Sequence, residues 1–101
     1  MKYKVKIDRD LADLIPMYLQ GRRDELPVIA SLLEKGDFAG LKTIGHKLHG
    51  SGGGFGLDFL TELGVRMENS AAAADKAALA AQAGELKEFI ENLEIEYVPM
   101  D

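Results

Sequence analysis

The sequence predicts an all-α fold: an antiparallel up-down four-helix bundle with a short extra N-terminal helix. Three observations predict it. Apolar residues recur at spacings of three and four through most of the chain. The segments so marked are divided by brief turns bearing Gly or Asp, and short turns set consecutive helices side by side. Apolar residues are 47% of the 101 residues, enough for one small domain with its bundle over about residues 16–97.

Taken in order, Tyr3 to Ile7 alternate apolar and polar. A lone strand without a partner is weak, so this stretch is expected to be an extended lead-in. Asp8 or Asp10 can cap a short helix holding Leu11, Leu14 and Ile15. Pro16 suits the first turn of the next helix, where its missing N–H costs nothing. Ile15, Leu19, Arg22, Leu26, Ile29 and Leu33 form one helical face up to a Lys35-Gly36 stop. Pro27 inside that span should kink or divide the helix. Asp37 caps a helix with Phe38, Leu41, Ile44 and Leu48 on one stripe, ended by Gly52 to Gly54. A third helix begins near Gly56 and buries Leu60, Leu63, Met67 and Ala71. A fourth, capped by Asp75, carries Leu79, Ala83, Leu86, Ile90, Leu93 and Tyr97.

Composition narrows the function. The net charge is −5, which disfavours nucleic acid and anionic membrane surfaces as partners. No Cys is present, so thiolate and disulfide chemistry are excluded. No apolar run approaches the roughly 20 residues of a membrane span, and a cytoplasmic location is expected. The start at Met1 and the end soon after the last helix favour a free-standing protein.

The stretch IGHKLHGSGGGFG, residues 44–56, holds both histidines of the chain, His46 and His49, and its densest glycine cluster. With about 100° per residue and Leu41 at zero, Ile44, Leu48 and Phe38 fall within about 60° of the core direction. His46 falls roughly 140° away and His49 about 80° away, so the first faces solvent and the second lies on the flank. Lys42 sits one turn below His46 and Gly50 one turn above. Glycine in a helix costs roughly 0.5–1 kcal/mol against alanine. Gly45, Gly50, Gly52 and Gly53 therefore suggest close approach by another body, with Gly52 to Gly54 also making a turn.

An exposed imidazole can serve as a general base, a metal ligand or a nucleophile. No Ser, Cys or Asp nearby completes a triad. A metal site of His46 and His49 lacks a clear third ligand unless packing brings up Glu68 or Asp37. A nucleophile for a phosphoryl group needs a neutral ring nitrogen, open access, nearby cations and a carboxylate on the other nitrogen.

His46-Lys47-Leu48-His49-Gly50-Ser51-Gly52-Gly53-Gly54-Phe55-Gly56 resembles the signature of histidine-containing phosphotransfer domains: His, any residue, Leu, usually Lys, Gly, Ser, small residues and a closing Gly. The resemblance runs over roughly residues 8–95. It implies a four-helix bundle and a phosphorelay intermediate. His46 would accept the phosphoryl group from a receiver phosphoaspartate through its outer nitrogen and pass it to another receiver aspartate. It further implies that Glu68 holds the inner nitrogen and that Gly50 leaves room for the partner. The implied partners are response regulator receiver domains and hybrid histidine kinases, which bring the Mg2+; the chain needs no cofactor of its own and is expected to be a monomer. It would be a phosphocarrier rather than an independent enzyme. The alternative is a non-phosphorylated helical adaptor or inhibitor that binds receivers or kinases.

One position departs from the pattern. His49 stands where the family usually has Lys, and an imidazole, unlike an ammonium, is only partly charged near neutral pH. Lys42 is the expected substitute cation, with Lys47 turned further away. Leu11, Leu14 and Ile15, with Gly53, are candidate partner contacts, because so short a helix cannot bury every apolar residue.

Overall fold

In the computed structural model, which describes residues 2–99, the chain runs through β1 (Tyr3–Asp8), a 3-10 turn (Arg9–Leu11), α1 (Ile15–Lys35) and α2 (Phe38–Ser51). A second 3-10 turn (Gly53–Phe55), α3 (Asp58–Ala72), α4 (Lys76–Glu91) and β2 (Leu93–Val98) follow. The four expected helices are present, and their boundaries follow the capping chemistry. Asp37 accepts a hydrogen bond from the Gly40 N–H and Asp75 from the Ala78 N–H, which satisfies donors that a helix start leaves free. Gly36 ends α1 at φ 67°, the left-handed conformation in which glycine costs least.

Three expectations change. The short N-terminal helix is a single 3-10 turn. Asp8 caps it by accepting from the Asp10 N–H, and Ile15 already belongs to α1. Pro27 does not divide α1, which runs unbroken for 21 residues; Pro27 lies on the exposed side, where water can reach the carbonyl that its missing N–H leaves free. The fourth helix stops at Glu91, and Leu93 to Val98 form a strand parallel to β1.

That ribbon explains itself once the register is known. Tyr3, Val5 and Ile7 pair with Leu93, Ile95 and Tyr97, while Lys4 and Lys6 pair with Glu94 and Glu96. The alternation sets apolar side chains on one face and opposite charges on the other. Lys2 adds an ion pair to Glu94 at 2.9 Å. Ile7 is fully buried, and Tyr3, Val5, Leu93 and Ile95 pack against the core. The Tyr3 ring lies 5.1 Å from both Phe59 and Phe89, which stack on each other at 4.6 Å. The ribbon therefore closes one end of α3 and α4.

The core is built from Leu19, Ile29, Leu41, Ile44, Leu48, Leu60, Leu63, Met67, Leu79, Leu86 and Ile90, all buried. Between α3 and α4, Arg66 donates to both carboxylate oxygens of Glu85 at 2.9 and 3.0 Å, and the buried Gln82 amide donates to Ser70. Between α2 and α3, the backbones meet through glycine. A Cβ on Gly45 would stand 2.9 Å from the Glu68 nitrogen and 3.0 Å from the Gly64 carbonyl oxygen; one on Gly64 would collide with the backbone of His49. Gly52 has the same reason, since its Cβ would stand 2.8 Å from the Thr61 nitrogen. Gly52 is thus less a helix breaker than a contact point for α3. Around Gly50 a Cβ would meet nothing within 4 Å.

These surroundings separate the glycines by experiment. Gly64→Ala is expected to destabilise the fold by about 1–3 kcal/mol, the cost of forcing atoms into a packed contact. Gly50→Ala is expected to stabilise it by roughly 0.5–1 kcal/mol through helix propensity alone. Denaturant unfolding of the two variants checks both signs.

Candidate functional site

The α2 stripe of Leu41, Ile44 and Leu48 is buried, and this fixes the rotation of the helix. His46 is turned outward, with its side chain 76% exposed. His49, on the flank, is 48% exposed. Glu68 reaches both from α3. Its Oε1 lies 2.8 Å from His49 Nδ1 and its Oε2 lies 3.4 Å from His46 Nδ1. The two imidazoles stand edge to face, with centroids 6.3 Å apart.

The reach of Glu68 follows from the glycine crossing. The Glu68 backbone nitrogen lies against Gly45, directly where a side chain on Gly45 would stand. Its carboxylate, with only two methylenes, can therefore span to the ring nitrogens. The 2.8 Å contact is a strong hydrogen bond in the charge-assisted range, and the 3.4 Å contact is a long one. The Glu68 carboxyl is held below its ordinary pKa, chiefly by the hydrogen bond from His49; partial burial opposes this, and the weaker bond from His46 adds to it.

Lys42, Ala39, Thr43, His46 and Glu68 line an open depression beside the imidazole. The exposed Lys42 thus brings a cationic side chain to the depression that His46 lines. Lys47 faces the other way. It lies close enough to Glu25 of α1 for its charge to oppose the rise in that carboxyl's pKa, which burial causes and Arg22 also resists. Arg22, the polar residue on the predicted core face of α1, pairs with Glu25 at 2.8 Å and lies 4.9 Å from the centre of the Tyr18 ring.

The candidate partner contacts divide. Ile15 is 1% exposed and belongs to the core, so it is not available for docking. Its place at the start of α1 turns it inward, where a separate short helix would have left it free. Leu11 is half-buried against the core. Leu14 is 50% exposed, and Gly53 is exposed. The sequence reading missed Met17, 76% exposed, which shares a shallow apolar concavity with Leu14, Tyr18, Gly21 and Phe55. It also missed how this surface joins α2. Ser51 donates its hydroxyl proton to the Lys47 carbonyl at 2.7 Å, which leaves the Tyr18 hydroxyl to donate to Ser51 Oγ at 2.8 Å. Tyr18 also stacks on Phe55 at 4.2 Å. The 3–4 spacing that marked Ile15 and Leu19 as core gives no sign of a tyrosine on the adjoining face reaching Ser51.

No helix among the described residues is long and apolar enough to cross a membrane. No curated protein and no solved structure shows a significant match to the chain. The Hpt domain family, in contrast, matches residues 13–96. That span takes in all four helices, the histidine-bearing α2 and the carboxylate that reaches it from α3, and the chain belongs to the Hpt domain family.

Proposed function

We propose that this protein carries the phosphoryl group on His46, in keeping with Hpt domains in general, which are phosphocarriers in histidine phosphorelays and work with receiver domains and kinases rather than as catalysts. The observation that carries the proposal is the division of the ring: Nδ1 faces Glu68 at 3.4 Å while the side chain as a whole is 76% exposed. A proton kept on Nδ1 by the carboxylate leaves the lone pair on Nε2, at the opposite edge of the ring.

In the first half-reaction Nε2 attacks the phosphorus of a receiver's phosphoaspartate. The N–P bond forms as the P–O bond to the aspartyl oxygen breaks, and the aspartate leaves as a carboxylate. The second half-reaction runs the same exchange in reverse with another receiver. Positioning and charge stabilisation carry most of such a transfer. Glu68 orients the ring and stabilises the positive charge that develops on it. Lys42 meets the incoming phosphoryl oxygens. Gly50 leaves the surface above His46 clear. The receiver brings its Mg2+, and the Leu14, Met17 and Phe55 surface offers it apolar contact. Hydrogen bonds at such sites are often long before the partner arrives and tighten in the complex, which fits the 3.4 Å contact.

Incubation with a phosphorylated receiver should give acid-labile, base-stable phosphate on the wild type and none on His46→Gln. Label on His46→Gln equal to wild type would overturn the assignment. Glu68→Gln should slow transfer by roughly ten- to a hundredfold, the scale that a misplacement of about 1 Å carries.

Glu68 also gives a pH dependence whose sign is fixed. A carboxyl whose pKa is lowered on folding contributes stability that is complete above its unfolded value, 4.5, and that is lost as pH falls through the folded value. Below pH 4.5 the thermal midpoint of the wild type should therefore fall more steeply than that of Glu68→Gln, and just above that pH the two should run parallel. Parallel curves throughout acid titration would show that Glu68 has no such partners.

A further inference from the structure

We propose that His46, His49 and Glu68 form a binding site for a divalent first-row transition metal ion of the Zn2+ class, and that its occupancy switches His46 off. The three residues each direct a ligand atom into one small volume, and these atoms lie within 4.8 Å of one another. A tetrahedral zinc with bonds of about 2.0–2.1 Å sets its ligand atoms ~3.3 Å apart. The His46 Nδ1 to Glu68 Oε2 distance is already 3.4 Å. The His49 Nδ1 to Glu68 Oε1 distance, 2.8 Å, has only to open slightly as the metal replaces the shared proton.

The donor set selects the class of ion. Two imidazole nitrogens and one carboxylate suit zinc and its neighbours, whereas Mg2+ and Ca2+ prefer all-oxygen shells. Three protein ligands leave a fourth position for water or an anion. The His46 and His49 side chains are 76% and 48% exposed, so an ion can enter without local unfolding. The nearby Lys42 ammonium weakens the site, and the Glu68 carboxylate offsets it. Both rings come from one turn of α2, and the third ligand is set by the glycine crossing; drawing ligand atoms that lie within 4.8 Å of one another to ~3.3 Å calls on rotation of the two exposed imidazoles.

The effect on His46 follows from proton bookkeeping alone. A neutral imidazole has one lone pair on nitrogen and one N–H. Metal on Nδ1 takes that lone pair and leaves the proton on Nε2, which then cannot attack phosphorus. Metal on Nε2 occupies the attacking atom directly. This consequence rests on the proposed role of His46; the metal site itself does not.

Zinc titrated into the metal-free protein, in competition with a chromophoric chelator, should bind one ion per chain. His49→Lys and Glu68→Gln should each weaken binding at least tenfold, since loss of even an outer-shell partner costs roughly that much. Zinc at a concentration that saturates the wild type but lies well below the Kd of His49→Lys should block phosphate uptake by the wild type and leave uptake by His49→Lys, from the same phosphorylated receiver, as it is without zinc. His49→Lys also serves as the control for zinc acting on the receiver. Wild-type affinity weaker than about millimolar, or His49→Lys binding as tightly as wild type, overturns the site. Zinc binding without loss of phosphate uptake overturns the switch alone. If neither protein accepts phosphate from any receiver, the carrier reading falls while the titration still judges the metal site.

Discussion

The close approach of α2 and α3 at Gly45 and Gly64 is the constraint on which the site depends. Each glycine within a helix costs roughly 0.5–1 kcal/mol. The apolar seam on either side, Leu41, Ile44, Leu48, Leu60, Leu63 and Met67, is buried. At about 1.5–3 kcal/mol for each fully buried side chain, that seam outweighs the glycine cost several times over. Packing therefore wins, and the two backbones meet where a larger residue would hold them apart. The functional gain is positional. Glutamate has a short reach, and Glu68 contacts two imidazoles on the neighbouring helix only because its own backbone nitrogen lies against Gly45.

The same helix is braced at its other end. Phe59, one residue into α3, sits in the aromatic cluster with Tyr3 and Phe89. From Phe59 to Glu68 is nine residues, or ~13.5 Å of helix. The β1–β2 ribbon, made from the two ends of the described chain, thus sets the start of α3, while the glycine crossing sets its middle. With two fixed points along a short helix, little freedom is left in where Glu68 stands. Residues far from the histidines in sequence and space contribute to the site in this way, through rigid placement rather than contact.

Much of this was legible in the sequence, for reasons that local chemistry supplies. Asp37, Gly36 and Asp75 carry capping signals that need no tertiary context, and the orientation of His46 follows from the stripe of Leu41, Ile44 and Leu48. The second strand was hidden by a coincidence of periods. Ile90, Leu93 and Tyr97 keep helical spacing with α4, yet Leu93-Glu94-Ile95-Glu96-Tyr97 also alternates. The complement of Lys4 and Lys6 to Glu94 and Glu96 decides between the two readings, and it is visible only when the ends of the chain are set side by side. Gly64 left no mark either: a single glycine among helix formers gives no sign of which backbone it meets. The buried state of Ile15 followed from where α1 begins, which Pro16 hinted at but did not fix.

His49 is where the chain departs from its family's usual pattern, and geometry changes what that departure means. A lysine there has a long, flexible stem whose ammonium can swing out past the exposed edge of the His46 ring. The imidazole of His49 is held close to the helix, and its Nδ1 is engaged with Glu68 at 2.8 Å. When charged it pairs with the carboxylate, so the ion pair adds little net positive field at the outer edge of His46. When neutral it adds none. The substitution therefore does not replace one cation by a weaker one; it removes a cation and sets a second imidazole against Glu68. Among the described residues, Lys42 brings a cationic side chain to the depression that His46 and Glu68 line. Glu68 is divided between two rings and lies 0.6 Å nearer His49, the difference between 3.4 and 2.8 Å. At the proposed site a metal ion would turn this competition into cooperation, because it can accept lone pairs from both rings and the carboxylate at once.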